Sequence, residues 1–369
     1  MRHSTFTKKK VALVYDRVNK WGGAERVLLT LHEMFPEAPL YTSVYDSKHA
    51  SWAKAFPKIY TSFLQNIPFA KSNHEFLAPL MPWAFESFNF DDYDLVISVT
   101  SEASKGIKTR NGCLHLCYCL TPTRYLWSHY DEYFKGGTFK GMTKPIIDYL
   151  KKWDKKASRR PDVMVAISTE VQKRIKKYYN RDSEIIFPPV NTSLLYSNEV
   201  NRHKKGDYYL VVSRLVGYKK VDLAIKTFNK LGYPLVVIGT GREEKKLKSM
   251  SKSKKIKFVG QISDEKLAKY YQNAKAFIMP QEEDFGIVAV EAQSHGVPVI
   301  AFKKGGAIDT VIDGVTGILF NNQTVDSLTK AIAKFDKIRF NHSYLVKNAK
   351  KFSKENFKRK FLANVAKFG

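Results

Sequence analysis

The sequence predicts an α/β protein built from two doubly wound domains, each a parallel sheet flanked by helices. Three observations carry this. Short apolar runs alternate with helical patterns along nearly all of the 369 residues, as βαβ units require. The length suits two domains of ordinary size. A polar segment over 198–206, shortly after Pro188-Pro189, breaks the alternation near the middle and reads as a linker.

In the first half the strand candidates are 11–15, 40–44, 95–100, 114–119, 163–168 and 184–187. In the second they are 209–213, 235–239, 256–260, 276–279, 298–302 and 317–320. Helical spacing fills the gaps, for example over 24–34, 221–231, 264–273 and 287–295. The expected domains are 1–195 and 196–349. A last helix over 350–369 carries Phe357, Phe361 and Val365 at helical spacing.

Hydrophobic residues make up 44% and aromatics 13% of the chain, enough for two cores. No apolar run approaches the roughly 18–20 residues that span a bilayer. Lys8, Lys9 and Lys10 precede Val11, but the apolar run after them is short and ends at Asp16 and Arg17, so it reads as a strand and not a signal peptide. Three cysteines are too few for a disulfide framework and point to a reducing, cytoplasmic setting. Cys113, His115, Cys117 and Cys119 alternate along one strand. Same-face neighbours there stand about 6.5–7 Å apart, too far to surround one zinc at about 2.0–2.3 Å. They are expected to be a buried sheet face, and no metal is expected. The net charge of +27, from 62 basic against 35 acidic residues, fits either an anionic partner or surface or simply lysine-rich, solvated faces.

The most informative stretch is Pro280-Gln281-Glu282-Glu283-Asp284-Phe285-Gly286-Ile287, running on to Glu291. Two of its carboxylates, Glu283 and Glu291, flank a Phe-Gly step with seven residues between them. The stretch follows an apolar run and leads into a helix. Open α/β sheets bind ligands in such a loop, at the carboxyl end of a strand, where free helix N–H groups favour anions. Acids beside an anion site suit the hydroxyls of sugar and ribose, which makes a nucleotide-sugar the first hypothesis.

Other turns at the same edge fit. Gly22-Gly23 follows the first strand and lets a ligand approach the backbone. Arg214 and Lys219 follow the strand 209–213 and supply cations for a diphosphate. Gly239-Thr240-Gly241, Gly260-Gln261-Ile262-Ser263 and Gly305-Gly306 close three further turns, the second placed to meet a nucleobase through main-chain groups. Asp92-Tyr93-Asp94 spells a metal-diphosphate pattern, yet it precedes its strand and so lies at the opposite edge. The aromatic-rich segments 56–90 and 121–139 suit either core packing or a membrane interface.

These residues resemble retaining family 4 glycosyltransferases of the GT-B fold, and among them bacterial O-antigen and capsule mannosyltransferases. The motifs are Gly22-Gly23-Ala24-Glu25-Arg26, Thr121-Pro122-Thr123-Arg124-Tyr125-Leu126-Trp127, Ser213-Arg214-Leu215 with Tyr218-Lys219-Lys220-Val221-Asp222, and Glu283 to Glu291 followed by Gly296-Val297-Pro298. The resemblance covers nearly the whole chain. It implies two Rossmann-like domains facing across a cleft, with the last helix returning to the first domain. It implies hexose transfer without metal or other cofactor. The donor is a nucleoside-diphosphate sugar, with GDP-mannose leading and UDP-hexoses open. The acceptor is a hydroxyl of a glycan or lipid-linked glycan.

In that reading Glu283, Arg214 and Lys219 carry catalysis. Donor contacts come from Gly22, Gly23, Ile262, Asp284, Phe285, Gly286, Ile287 and Glu291, and Arg124 lies on the acceptor side. Relatives often place a histidine where this chain has Leu120; His129 is the nearest substitute in sequence. Two other readings stand beside this one: a nucleotide-sugar epimerase of the same fold, and a basic protein that binds nucleic acid or an anionic membrane. The cytoplasmic face of a plasma membrane fits the last of these.

Overall fold

The computed structural model describes residues 9–71, 74–128, 137–192 and 206–369. The chain divides into two compact units, Met1–Phe187 with Phe357–Gly369, and Pro188–Asn356. The division precedes the expected boundary at 195/196. Val190 accounts for this: it pairs with Ser353 and donates its N–H to Phe352 O (2.9 Å), both within the second unit. Of the expected linker, only residue 206 is described.

The first unit holds strands β1 (Val11–Tyr15), β2 (Leu40–Thr42), β3 (Ile59–Thr61), β4 (Leu95–Thr100), β5 (Leu114–Cys119), β6 (Val163–Ala166) and β7 (Glu184–Ile185). They form one parallel sheet in the order β3-β2-β1-β4-β5-β6-β7. β1, β4 and all of β5 but its first residue are buried, as a sheet covered on both faces demands. β3 falls within a segment the sequence reads as a connection. It is three half-buried residues at the sheet edge, too short to show a strand period.

The helix Gly23–Met34 lays Val27, Leu28 and Leu31 on this core. The last helix, Lys354–Phe368, buries Phe357, Phe361 and Val365. Phe357 and Phe361 set their rings 5.7 and 6.3 Å from that of Tyr118 on β5. Lys358 and Glu33, 2.8 Å apart, pair these two helices at the surface.

The second unit holds β8 (Tyr209–Val212), β9 (Leu235–Ile238), β10 (Ile256–Gly260), β11 (Ala276–Met279), β12 (Val299–Phe302) and β13 (Gly317–Phe320). Their order is β10-β9-β8-β11-β12-β13, again all parallel. Its helices Val221–Leu231 and Val325–Phe335 bury Phe228, Leu328, Ile332 and Phe335 against one face of this sheet. In both sheets the strand order reverses direction beside the first strand, between β1 and β4 and between β8 and β11. Such switch points leave a crevice at the carboxyl ends of the strands.

Candidate active site

At the switch point of the second sheet, the turns after β8 and β11 meet. β8 is followed by Ser213 and Arg214, and the chain then makes a short turn, Gly217–Lys219, before Lys220 caps the helix Val221–Leu231 in a left-handed conformation. Lys219 is thereby turned toward the loop after β11, where its Nζ forms an ion pair with Glu283 Oε1. Both side chains are largely buried, 14% and 16% exposed. Gln281 Nε2 donates to the same oxygen at 3.0 Å. Arg214 is exposed and donates from Nη2 to Tyr218 OH at 2.6 Å.

The loop itself is built to hold this carboxylate. Gly286 takes φ +86 and caps the helix Ile287–Ser294, a conformation that favours glycine. Gly305, after β12, also has positive φ, and an added Cβ would stand 2.1 Å from Glu283 O. Gly306 N donates to that carbonyl at 2.8 Å. The backbone of Glu283 is therefore clamped while its side chain faces Lys219. Phe285 turns inward, 3% exposed, with its ring 5.5 Å from that of Phe352. Asp284 and Ile287 are half-buried, the latter as the first residue of the helix. Ile262, in the turn after β10, is half-buried against the neighbouring core.

Glu291 lies farther along that helix with its own supports. Tyr271, a buried residue of the helix Asp264–Asn273, donates its hydroxyl to Glu291 Oε2 at 3.3 Å. His295 Nδ1 lies 2.7 Å from Glu291 O and must carry the proton, since a carbonyl only accepts. Burial lowers the pKa of His295 and holds it neutral. Its ring lies against Tyr271, 4.9 Å between centroids.

In the first unit the corresponding edge is shaped by groups the sequence reading passed over. Asp16, directly after β1, is 1% exposed. It accepts backbone N–H bonds from Ser101 (2.6 Å), Glu102 (3.0 Å), Ala103 (2.9 Å) and Ser104 (2.8 Å) after β4. Successive N–H groups of this kind form an anion nest, and here the chain fills it with its own carboxylate. Arg17 pairs with Glu102 at 2.5 Å beside it. Gly22 and Gly23 then open the helix Gly23–Met34, with Glu25 buried beneath them and accepting from Tyr15 OH at 3.0 Å. Burial raises the pKa of Glu25.

Arg124 is half-buried in the loop after β5. A buried hub fixes that loop: Asp154 accepts from Thr123 Oγ1 (3.0 Å), Trp127 Nε1 (2.7 Å) and Tyr179 OH (2.8 Å), and pairs with Lys105 at 2.5 Å. Asp154 and Lys105 are each 1% exposed. The sequence clue was available, since an acid at Asp154 interrupts a lysine-rich helix surface, but its partners are scattered over 105–179. Leu120 is half-buried at the end of β5, where its N–H donates to Thr100 O at 2.8 Å. His129 lies outside the described residues.

Cys113, Cys117 and Cys119 are buried, and His115 Nε2 lies 2.8 Å from Ser98 Oγ across the sheet. Asp94 sits at the amino end of β4, where it accepts from Lys10 N at 2.9 Å. Among the described residues no helix is long and apolar enough to cross a membrane.

Two parallel sheets of this order define a GT-B fold, and solved structures agree. Sucrose-phosphate synthase from Thermosynechococcus elongatus superposes with a TM-score of 0.73 at 18% identity, covering 97% of this chain and 99% of that one. Anabaena Alr3699/HepE in complex with UDP and glucose gives 0.70 at 18% identity, covering 97% and 99%. Residues 195–352, within the second unit, match the family model of glycosyl transferases group 1. An uncharacterized glycosyltransferase of Methanocaldococcus jannaschii is 27% identical over 54% of this chain and 57% of its own length. A GDP-mannose-dependent alpha-(1-6)-phosphatidylinositol monomannoside mannosyltransferase of Mycolicibacterium smegmatis is 33% identical over 36% of this chain and 39% of its own. The chain thus spans about half the length of these curated relatives.

Proposed function

We propose that the protein is a retaining, metal-independent glycosyltransferase. It moves a hexose, mannose in first place, from a nucleoside-diphosphate donor to a hydroxyl of a glycan or lipid-linked acceptor. The observation that carries the reading is the convergence of Lys219 and Glu283 at the switch point of a glycosyl transferases group 1 domain. GDP-mannose is the leading donor, in keeping with the mycobacterial relative. A UDP-hexose is the second reading, favoured by the structural neighbour solved with UDP and glucose.

In this mechanism the leaving diphosphate gathers negative charge as the sugar departs. Arg214, Lys219 and the N–H groups opening the helix Ile287–Ser294 supply preorganised positive potential for it. Without donor, Glu283 holds Lys219. A diphosphate competes for that ammonium and releases the Glu283 carboxylate to accept sugar hydroxyls. Glu291 accepts ribose hydroxyls. Neither carboxylate serves as nucleophile; the departing phosphate takes the acceptor proton on the same sugar face. The enzyme works at the cytoplasmic face, with its basic surface against anionic lipid.

The test is a transfer assay with GDP-mannose, UDP-glucose and UDP-galactose, run with and without EDTA, with the anomeric configuration of the product read by NMR. Product of the donor's configuration, formed equally in EDTA, is the expected result. Inversion, or epimerised donor formed without an acceptor, contradicts the proposal.

A further inference from the structure

The loop leaving β1 carries an aromatic surface that the donor chemistry does not use. Trp21, immediately before Gly22-Gly23, is 53% exposed. Its ring meets Trp52 edge-on, 6.3 Å between centroids at 62°. Trp52 donates its indole N–H to Lys20 O at 2.8 Å, so the ring supporting Trp21 also fixes the backbone beside it. Trp52 in turn rests on buried Phe56, 6.2 Å away. Asn19 Nδ2 donates to Lys71 O at 3.0 Å and ties the loop to the segment after β3. In that segment Phe69 is 77% exposed and takes φ +62, an outlier for a bulky residue. Loops following β1, β2 and β3 thus converge at the carboxyl edge of the first sheet and present aromatic rings from a braced backbone.

A single exposed apolar residue needs no explanation. An exposed indole braced by a second indole, in the glycine turn of the ligand edge, is a prepared surface. We propose that Trp21 is a stacking platform for a hexopyranose ring of the acceptor. The C–H groups on one face of a pyranose carry partial positive charge and meet the negative face of the indole. A lipid surface is the competing occupant, and the test separates the two. The proposal rests on the glycosyl-transfer reading for its ligand class.

The test uses the full chain with its five tryptophans replaced by 5-fluorotryptophan, the Trp21 signal being assigned with Trp21→Phe. Methyl glycosides of mannose, glucose and galactose are titrated while 19F spectra are recorded. The expected result is saturable movement of the Trp21 and Trp52 signals with at least one glycoside, and no movement of Trp83. Followed through Trp52, Trp21→Ala weakens that binding about threefold to tenfold, and Trp21→Tyr restores most of it. A Trp21 signal that no glycoside moves, or that only phosphatidylglycerol vesicles move, overturns the proposal. Thermal shifts with GDP and UDP run in parallel. Stabilisation by nucleotide with a silent Trp21 removes the platform alone. A saturable Trp21 response without nucleotide stabilisation keeps the sugar site and removes the transferase reading.

Discussion

At Lys219 and Glu283, one ion pair joins two opposite charges, each in a different turn and each largely buried. Removing one partner leaves the other without its counter-charge. Lys219→Ala is expected to lower kcat/KM about 100- to 1,000-fold, with the loss divided between donor KM and kcat. Steady-state kinetics against donor concentration check this, and a variant of full activity contradicts the clamp. Glu283→Gln keeps the shape and the bond from Gln281 but loses the charge. It is expected to bind nucleoside diphosphate at least as tightly as the parent while transferring slowly, because Lys219 is released. Isothermal titration separates the two effects. Gly286 is a structural requirement: alanine at φ +86 is expected to cost about 1–2 kcal/mol, read as a lower Tm, before any effect on donor binding is counted.

At the scale of elements, two buried polar groups should show themselves in stability. The Asp154 hub joins the turn after β4, the loop after β5 and two helices. Asp154→Ala strands Lys105 in the interior and is expected to cost about 3–5 kcal/mol. Burial alone would lower the pKa of Lys105, but the charge and hydrogen bond of Asp154, with smaller contributions from Cys119 and Asp16, together raise it. Chemical denaturation of Asp154→Ala, and of the Lys105→Met/Asp154→Leu pair, tests this; the pair should recover part of the loss.

His115 gives a pH signature. Burial, with Arg181 and Arg160 nearby, pushes its pKa down to about 3. The folded chain keeps the ring neutral, while the unfolded chain protonates it below its ordinary value of about 6.5. The unfolded state thus binds the extra proton, and stability falls as pH drops between about 6.5 and about 3, by about 1.4 kcal/mol per unit from this group alone. His115→Gln should flatten that slope by about one proton, measured from denaturation midpoints across the range.

At the scale of the whole molecule, alternating patterns made both sheets readable in the sequence, because buried parallel strands are nearly continuous apolar runs. β3 escaped because three half-buried edge residues carry no period. The candidate residues of the second unit could be picked from the sequence because, Glu291 apart, each stands at a βα turn. The pairing of Lys219 with Glu283 could not be, since it depends on β8 and β11 being neighbours across a crossover. Asp16 and Asp154 were hidden for the same reason: their donors lie far along the chain, and only the fold gathers them. The net charge of +27 belongs to this scale too. Co-sedimentation with phosphatidylglycerol vesicles is expected at low salt and should fade as salt shortens the Debye length; equal binding to neutral vesicles contradicts an electrostatic origin.

Hydrogen–deuterium exchange with and without saturating GDP, UDP or ADP tests the central claim most directly. A nucleoside diphosphate seated at the switch point of the second sheet should slow exchange in peptides covering 214–220 and 283–291, and Lys219→Ala should erase that protection. Protection confined to other segments, or none with any of the three nucleotides, would contradict the account.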